Sequence, residues 1–411
     1  MCAICRAARR SDYAGVIVAA RHRLGLTQTE LGLRVGLSHS EVSRLENRKR
    51  TLGDVTVLRR FAVALDLPGA VFGLDTPAGR RVCGEPTRGE DPVERRDLLT
   101  ALVALAAGAA LPVPAATDQA RYGTVAALRA GLARTRSEFD ACRYATVGRR
   151  LPALVASGHQ LLAAHSGQAR ELAESALADV YSLAAFTADK TGEFSVAWVL
   201  ADRARTHATA SGNPVSIATA TRETAVAMRR AGHHDQATDL LTTVAAGLDS
   251  ANGWELAGRG SLLLTAAYTH AQRGHSATAL ALADEAADVA SRLPARWPSN
   301  GMFTAAQVPI YRIGIHNALG DPARALTVAR GIPLGALPTA ERRARVCLDV
   351  ARAWFAHGNA GRCLMALRMA DSHAPEEVRR PQTQRLTRQL LELPGRAPEG
   401  LHMFASMTGA V

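Results

Sequence analysis

Between residues 13 and 68 the apolar positions fall into short groups with helical spacing, separated by polar and turn-forming residues. Val16, Ala19, Ala20 and Leu24 give a first helix. Leu31, Val35, Leu37, Val42 and Leu45 form a seam shared by two more, and Val55, Leu58, Phe61, Ala62 and Leu65 give a fourth, ended by Pro68. Thr27 with Glu30, and Ser38 with Glu41, have capping-box spacing: the hydroxyl accepts a backbone N–H and the carboxylate reaches back to the cap. Two helix starts eleven residues apart, with Gly36 turning the chain between them, predict a helix-turn-helix.

After Phe72 the chain reads DTPAGRRVCGEPTRGEDPVERRD, a Gly, Pro and charge mixture expected of a solvated linker. The apolar stretch from Leu98 to Leu111 follows a paired arginine, as in a twin-arginine export signal, but lies about a hundred residues too far into the chain. Its 14 residues fall short of the roughly 20 that span a bilayer, so the expectation is a helix buried between domains or in a dimer contact, with no membrane association.

From about Ala116 long Ala/Leu-rich amphipathic stretches alternate with short polar turns. Five turns share one form: GEFSVA from Gly192, GHHDQA from Gly232, GHSATA from Gly274, GDPARA from Gly320 and GNAGRC from Gly358, at spacings of 40, 42, 46 and 38 residues. Seven residues before these glycines stand Ala185, Ala225, Ala267, Ile313 and Ala351. A glycine that ends one helix, with small residues where paired helices press together, predicts stacked helical hairpins. Stretches near 118–140 and 144–165 predict one more pair, and 376–393 a closing helix. The predicted fold is therefore all-α: residues 1–75 a small helix-turn-helix domain, 76–115 a linker with an apolar connecting helix, 116–395 an α-solenoid, and 396–411 a tail.

Composition narrows the function. The formal charge is +12, and residues 1–60 hold twelve Lys/Arg against five Asp/Glu, so +7 of it is concentrated there; this suits a polyanionic partner without naming it. Lys49 and Lys190 are the only lysines, and neither is preceded by a P-loop glycine pattern. HExxH, GxSxG and deaminase spacings are absent too, so neither catalysis nor a cofactor is expected. Six scattered cysteines fit reduced thiols in a cytoplasm, and the Cys2/Cys5 pair lacks a second pair with zinc spacing.

The segments LTQTEL, GLSHSEVSRLENRKR and FAVALDLP resemble the Cro-like (XRE-type, phage-repressor-like) helix-turn-helix regulators over about residues 13–75. The resemblance implies that Ser38 starts the recognition helix and that His39, Ser40 and Ser43 face base edges. Gln28 would hold a phosphate or brace a reading side chain, and Arg44, Asn47, Arg48 and Lys49 would position the DNA backbone. Glu46 would repel phosphate and is expected to brace the helix against a basic neighbour. His39 departs from the Gln or Arg of many relatives.

RAGHHDQATDLL and ALGDPARALTVA resemble tetratricopeptide repeats, with a period above the usual 34 and few of the signature aromatics. In that register the first helix of each pair lines the concave side, at Phe186, Arg222, Arg229, Tyr268, Gln272, Gln307, Asn317, Arg345, Arg352 and Phe355. Of these Arg222, Arg229, Tyr268, Gln272, Asn317, Arg352 and Phe355 are the candidate ligand contacts. The two-part architecture is similar to peptide-pheromone-sensing regulators of Gram-positive bacteria and to actinomycete regulators with helical-repeat tails. It implies a cytoplasmic, homodimeric regulator that binds a double-stranded DNA operator and is gated by a small peptide or small-molecule effector. The alternative is a protein-interaction adaptor tethered to DNA.

Overall fold

The computed structural model describes residues 12–47, 55–65, 92–108, 122–298, 303–393 and 397–411, with Ile4, Ala7, Leu67 and Phe72 singly. Among them the regular structure is helical, with no strand. The chain divides into two compact units, Met1–Arg88 and Gly89–Val411.

The first unit contains α1 (Tyr13–Arg23), α2 (Gln28–Val35), α3 (His39–Glu46) and α4 (Val55–Ala64). Both expected capping boxes form. The Thr27 N–H donates to Glu30 Oε2 at 2.7 Å and that of Ser38 to Glu41 Oε2 at 2.8 Å, while each cap hydroxyl accepts the N–H three residues on. Gly36 takes φ +71° between α2 and α3, a left-handed conformation that a side chain would strain. Val16, Ile17, Leu31, Val35, Val42, Leu45, Leu58, Phe61 and Leu65 fill the core. Leu24, expected in the first helix's apolar face, instead caps its end and is exposed.

The second unit begins with α5 (Pro92–Ala107). This is the apolar helix expected between domains or in a dimer contact; it packs within the second unit, with Leu98 and Leu102 fully buried and Arg203 Nη2 donating to the Ala106 carbonyl at 2.9 Å. Six helical pairs follow: α6 (Val125–Asp140) with α7 (Tyr144–Ala164), α8 (Gly167–Thr191) with α9 (Phe194–Ser211), α10 (Pro214–Arg230) with α11 (His234–Ala246), α12 (Gly253–Gln272) with α13 (Ser276–Ser291), α14 (Gln307–Ala318) with α15 (Pro322–Arg330), and α16 (Ala340–Ala356) with α17 (Ala360–His373). The five repeat glycines all stand at positive φ between paired helices. Ala185, Ala225, Ala267, Ile313 and Ala351 are at most 2 % exposed, so small residues sit where the helices press together.

The first helices of successive pairs pack on one another, and the series closes: α16 meets α6. The solenoid thus curves far enough for its six inner helices to form a ring. Two departures from expectation concern the end of the chain. The single closing helix expected over 376–393 is a short turn, α18 (Pro375–Val378), and α19 (Pro381–Leu391), interrupted where Pro381 starts a new helix. The expected tail contains α20 (Leu401–Thr408), whose Leu401, Phe404 and Ala405 are buried and whose Thr408 carbonyl accepts from Gln384 Nε2 at 2.9 Å.

Candidate functional site

On the first unit, α3 buries Val42 and Leu45, and helical spacing puts Ser40, Ser43, Arg44 and Asn47 on the opposite side. Ser38, His39, Ser40, Arg44 and Asn47 are exposed and Ser43 is half-buried. Asn47 Nδ2 donates to the Ser43 carbonyl at 2.9 Å, tying off the last turn. Glu46 points the other way. Its carboxylate accepts from Arg21 Nε at 2.6 Å, Arg21 Nη2 at 3.0 Å and Gln28 Nε2 at 2.7 Å, joining α1, α2 and α3. Burial alone would raise the Glu46 pKa, but the Arg21 and Gln28 hydrogen bonds outweigh it and hold the carboxyl below its ordinary value. Gln28, expected at a phosphate or a reading side chain, is committed to this brace. Arg48 and Lys49 lie outside the described residues, as do Cys2 and Cys5.

Within the second unit the ring of inner helices lines two partly open chambers of about 470 and 260 Å³ that share Phe186, Arg222 and Tyr311. The larger has Phe139, Leu132, Leu183 and Trp254 among its walls, with Ser182 Oγ buried without a hydrogen-bond partner. Asp179 borders it, its carboxyl pushed up to about 6 by burial against a hydrogen bond from Ser216. The smaller is lined by seven cationic side chains, Lys190, Arg222, Arg229, Arg230, Arg345, Arg352 and Arg380, and by Asp189. Most are matched: Arg222 with Glu223, Arg230 with Asp189, and both Arg345 and Arg352 with Asp349. Arg229 donates to Thr269 Oγ1 at 3.3 Å and lies 5.1 Å over the Tyr268 ring, with no carboxylate in salt-bridge range among the described residues. Burial lowers its pKa.

Of the sequence-nominated contacts, Phe186, Arg222, Arg229, Tyr268, Gln272, Arg345 and Arg352 line the smaller chamber and Gln307 the larger. Asn317 and Phe355 do not. Asn317 Nδ2 is spent on the Asp349 carbonyl at 2.8 Å, and Phe355 packs on the apolar cluster of Leu364, Leu367 and Leu390.

Where the ring closes, Lys190 is 3 % exposed and bonded to Glu341 and, at 3.3 Å, to Glu377. Glu377 also accepts from Arg380 Nη1 at 2.7 Å and from the Tyr144 hydroxyl, while Arg380 Nε donates to the Lys190 carbonyl at 2.7 Å. Burial favours the neutral acids, but the charges of Lys190 on Glu341, and of Arg380 and Lys190 on Glu377, hold both carboxyls well below the ordinary range. Sequence reasoning missed this cluster; the only hint was that Lys190 is one of two lysines in a chain that otherwise uses Arg.

Residues 14–72 match the helix-turn-helix domain family. No curated protein matches the chain. Among solved structures it is similar to PlcR of Bacillus thuringiensis, determined in complex with the peptide PapR7 and DNA, at 13% identity over 87% of this chain and 98% of that one, with a TM-score of 0.32. It is also similar to BtubC (BKLC) of P. vanneervenii, at 16% identity over 66% and 95%, with a TM-score of 0.35. Both scores are too low for a shared arrangement to be inferred. Among the described residues no helix is long and apolar enough to cross a membrane, and no cluster of His, Cys, Asp and Glu has metal-site geometry.

Proposed function

We propose that the chain is a sequence-specific DNA-binding transcriptional regulator of the Cro-like type, acting in the cytoplasm as a homodimer and gated by a small effector held in the ring of inner helices. The observation that carries the DNA-binding part is the helix-turn-helix match over residues 14–72, joined to the outward stripe of Ser40, Ser43, Arg44 and Asn47 on α3 and to the net +7 of the first 60 residues. The polar side chains of that stripe suit base edges, while Arg44 suits phosphate. One small reader contacts few bases, so two copies reading half-sites about 34 Å apart are the geometry that gives useful specificity. Gating is supported by the two chambers and by Arg229, which bonds a hydroxyl and no carboxylate among the described residues. An effector would act by binding one spacing of the two readers better than another.

The reading of α3 is tested by DNA affinity on cognate and random duplexes. Replacing Ser40 and Ser43 together by Ala is expected to cost about 1–3 kcal/mol on cognate DNA and little on random DNA. Arg44→Ala is expected to weaken both alike and to flatten the salt dependence by about one unit of slope. Equal losses on both duplexes from the serine variant would remove α3 as the reading helix.

A further inference from the structure

The two chambers differ in character while sharing a wall. The larger sets Leu132, Phe139, Leu183, Phe186 and Trp254 beside four arginines and four carboxylates that balance in charge, whereas the smaller is walled by seven cations, to which five carboxylates, Asp189, Glu223, Glu341, Asp349 and Glu377, are bonded. Asp349 serves two guanidiniums and Glu377 serves Lys190 and Arg380, so the cations outnumber their partners. Arg229 carries the surplus: a half-buried guanidinium that bonds only a hydroxyl and lies over a ring, while Asp189, the carboxylate that attracts it, is bonded to Arg230. A buried cation without a counter-ion is costly, and an anionic ligand would remove that cost.

We infer that the ring binds a compact amphipathic organic anion, its carboxylate or phosphate head beside Arg229 in the smaller chamber and its apolar body passing Phe186 and Tyr311 into the larger one. The larger chamber, at about 470 Å³, has the size of sites for drug-sized ligands, which lie at about 300–1,000 Å³, and the smaller, at about 260 Å³, has room for a headgroup. Closure of the ring through Lys190, Glu341 and Glu377 argues for a compact ligand over an extended peptide, because the inner helices return on themselves around two chambers of limited volume. A guanidinium suits either headgroup, and the distinction between carboxylate and phosphate is left to competition.

This inference rests on the reading of the ring as an effector site, and its test keeps the two apart. The full chain is titrated with 8-anilinonaphthalene-1-sulfonate, an aromatic sulfonate that brightens in apolar surroundings, and the bound dye is then displaced. One saturating site per chain is expected, with affinity about tenfold weaker in Arg229→Gln and largely restored in Arg229→Lys, which keeps the charge. Arg362→Gln, an exposed residue over Trp354 outside the chambers, should bind as the parent does. Octanoate should displace the dye and octanol should not; octyl phosphate displacing it more strongly than octanoate would identify phosphate as the preferred head. Should Arg229→Gln lose its folded melting transition, the octanoate and octanol comparison on the parent protein decides. Absence of saturable binding, equal displacement by octanol and octanoate, or displacement by mixed heptapeptides at lower concentration than octanoate would each overturn the inference. DNA affinity with and without octanoate is read in parallel: dye binding as expected with DNA affinity unmoved supports the anion site and removes gating from the proposed function.

Discussion

Tyr311 stands where the two chambers meet, its hydroxyl 3.2 Å from Arg222 Nη2 and its ring under the guanidinium of Arg345 at 6.0 Å. Burial would raise its pKa, but the charges of Arg222 and Arg345 outweigh burial and bring it to about 8. A near-ultraviolet absorbance titration, with Tyr311→Phe subtracted, should show one phenol ionising near that value, while burial holds Tyr144 and Tyr181 above the ordinary pKa of about 10. Identical titrations of the parent and the variant below about pH 9 would deny the cavity its positive field. At this scale the sequence is legible where chemistry is local. The capping pairs Thr27/Glu30 and Ser38/Glu41 are three residues apart, and the repulsion of Glu46 by phosphate needs no structure to foresee. It is illegible where the partner is remote in sequence. Gln28 could not be assigned to Glu46 from spacing, and Asn317 and Phe355 were misplaced because a position on the right helix is not a position on the right face. Phe355 lies in the last turn of α16, past the chambers, where the C-terminal cluster claims it.

Helical hairpins depend on how the chain leaves one helix and enters the next. Gly232 turns α10 into α11 at φ +90°, with nothing within 4 Å of where a Cβ would stand. Gly232→Ala therefore meets backbone strain without a clash, and equilibrium denaturation should show a loss of about 1–2 kcal/mol. A loss below about 0.3 kcal/mol would mean that the turn relaxes and does not need glycine. The five repeat glycines were readable because each turn requires this conformation. The first pair lacks that signal: Cys142, at φ 60°, takes the equivalent place between α6 and α7, so its helices were expected but its turn was not. The apolar run at 98–111 shows the converse difficulty. Hydrophobicity foretells burial but not the surface against which it occurs, and α5 proved to belong to the second unit. A tail rich in Met and small residues gave no periodic signal strong enough to predict α20.

Closure of the second unit joins residues far apart in the chain: Tyr144 and Lys190 to Glu341, Glu377 and Arg380. Such pairings leave no periodic trace in a single sequence, so the curved solenoid was foreseen but its closure was not. Glu341 and Glu377 have folded pKa values depressed by their cationic partners. Their contribution to stability is therefore complete above the ordinary glutamate value of about 4.3 and is lost as pH falls through the folded values. Glu377→Gln should cost about 3–5 kcal/mol at neutral pH by leaving Arg380 and Lys190 short of a partner. Its melting temperature should also fall less steeply than the parent's between about pH 5 and 3, and parallel curves would remove the ion cluster as the clasp. The central claim, that the chain reads DNA sequence, is tested most directly by fluorescence anisotropy of the full-length protein on a duplex from its own promoter region and on a random duplex of equal length, across graded salt. The account predicts preference for the promoter duplex at every salt, with affinity on both falling as salt rises. Equal affinity for the two duplexes throughout would contradict it.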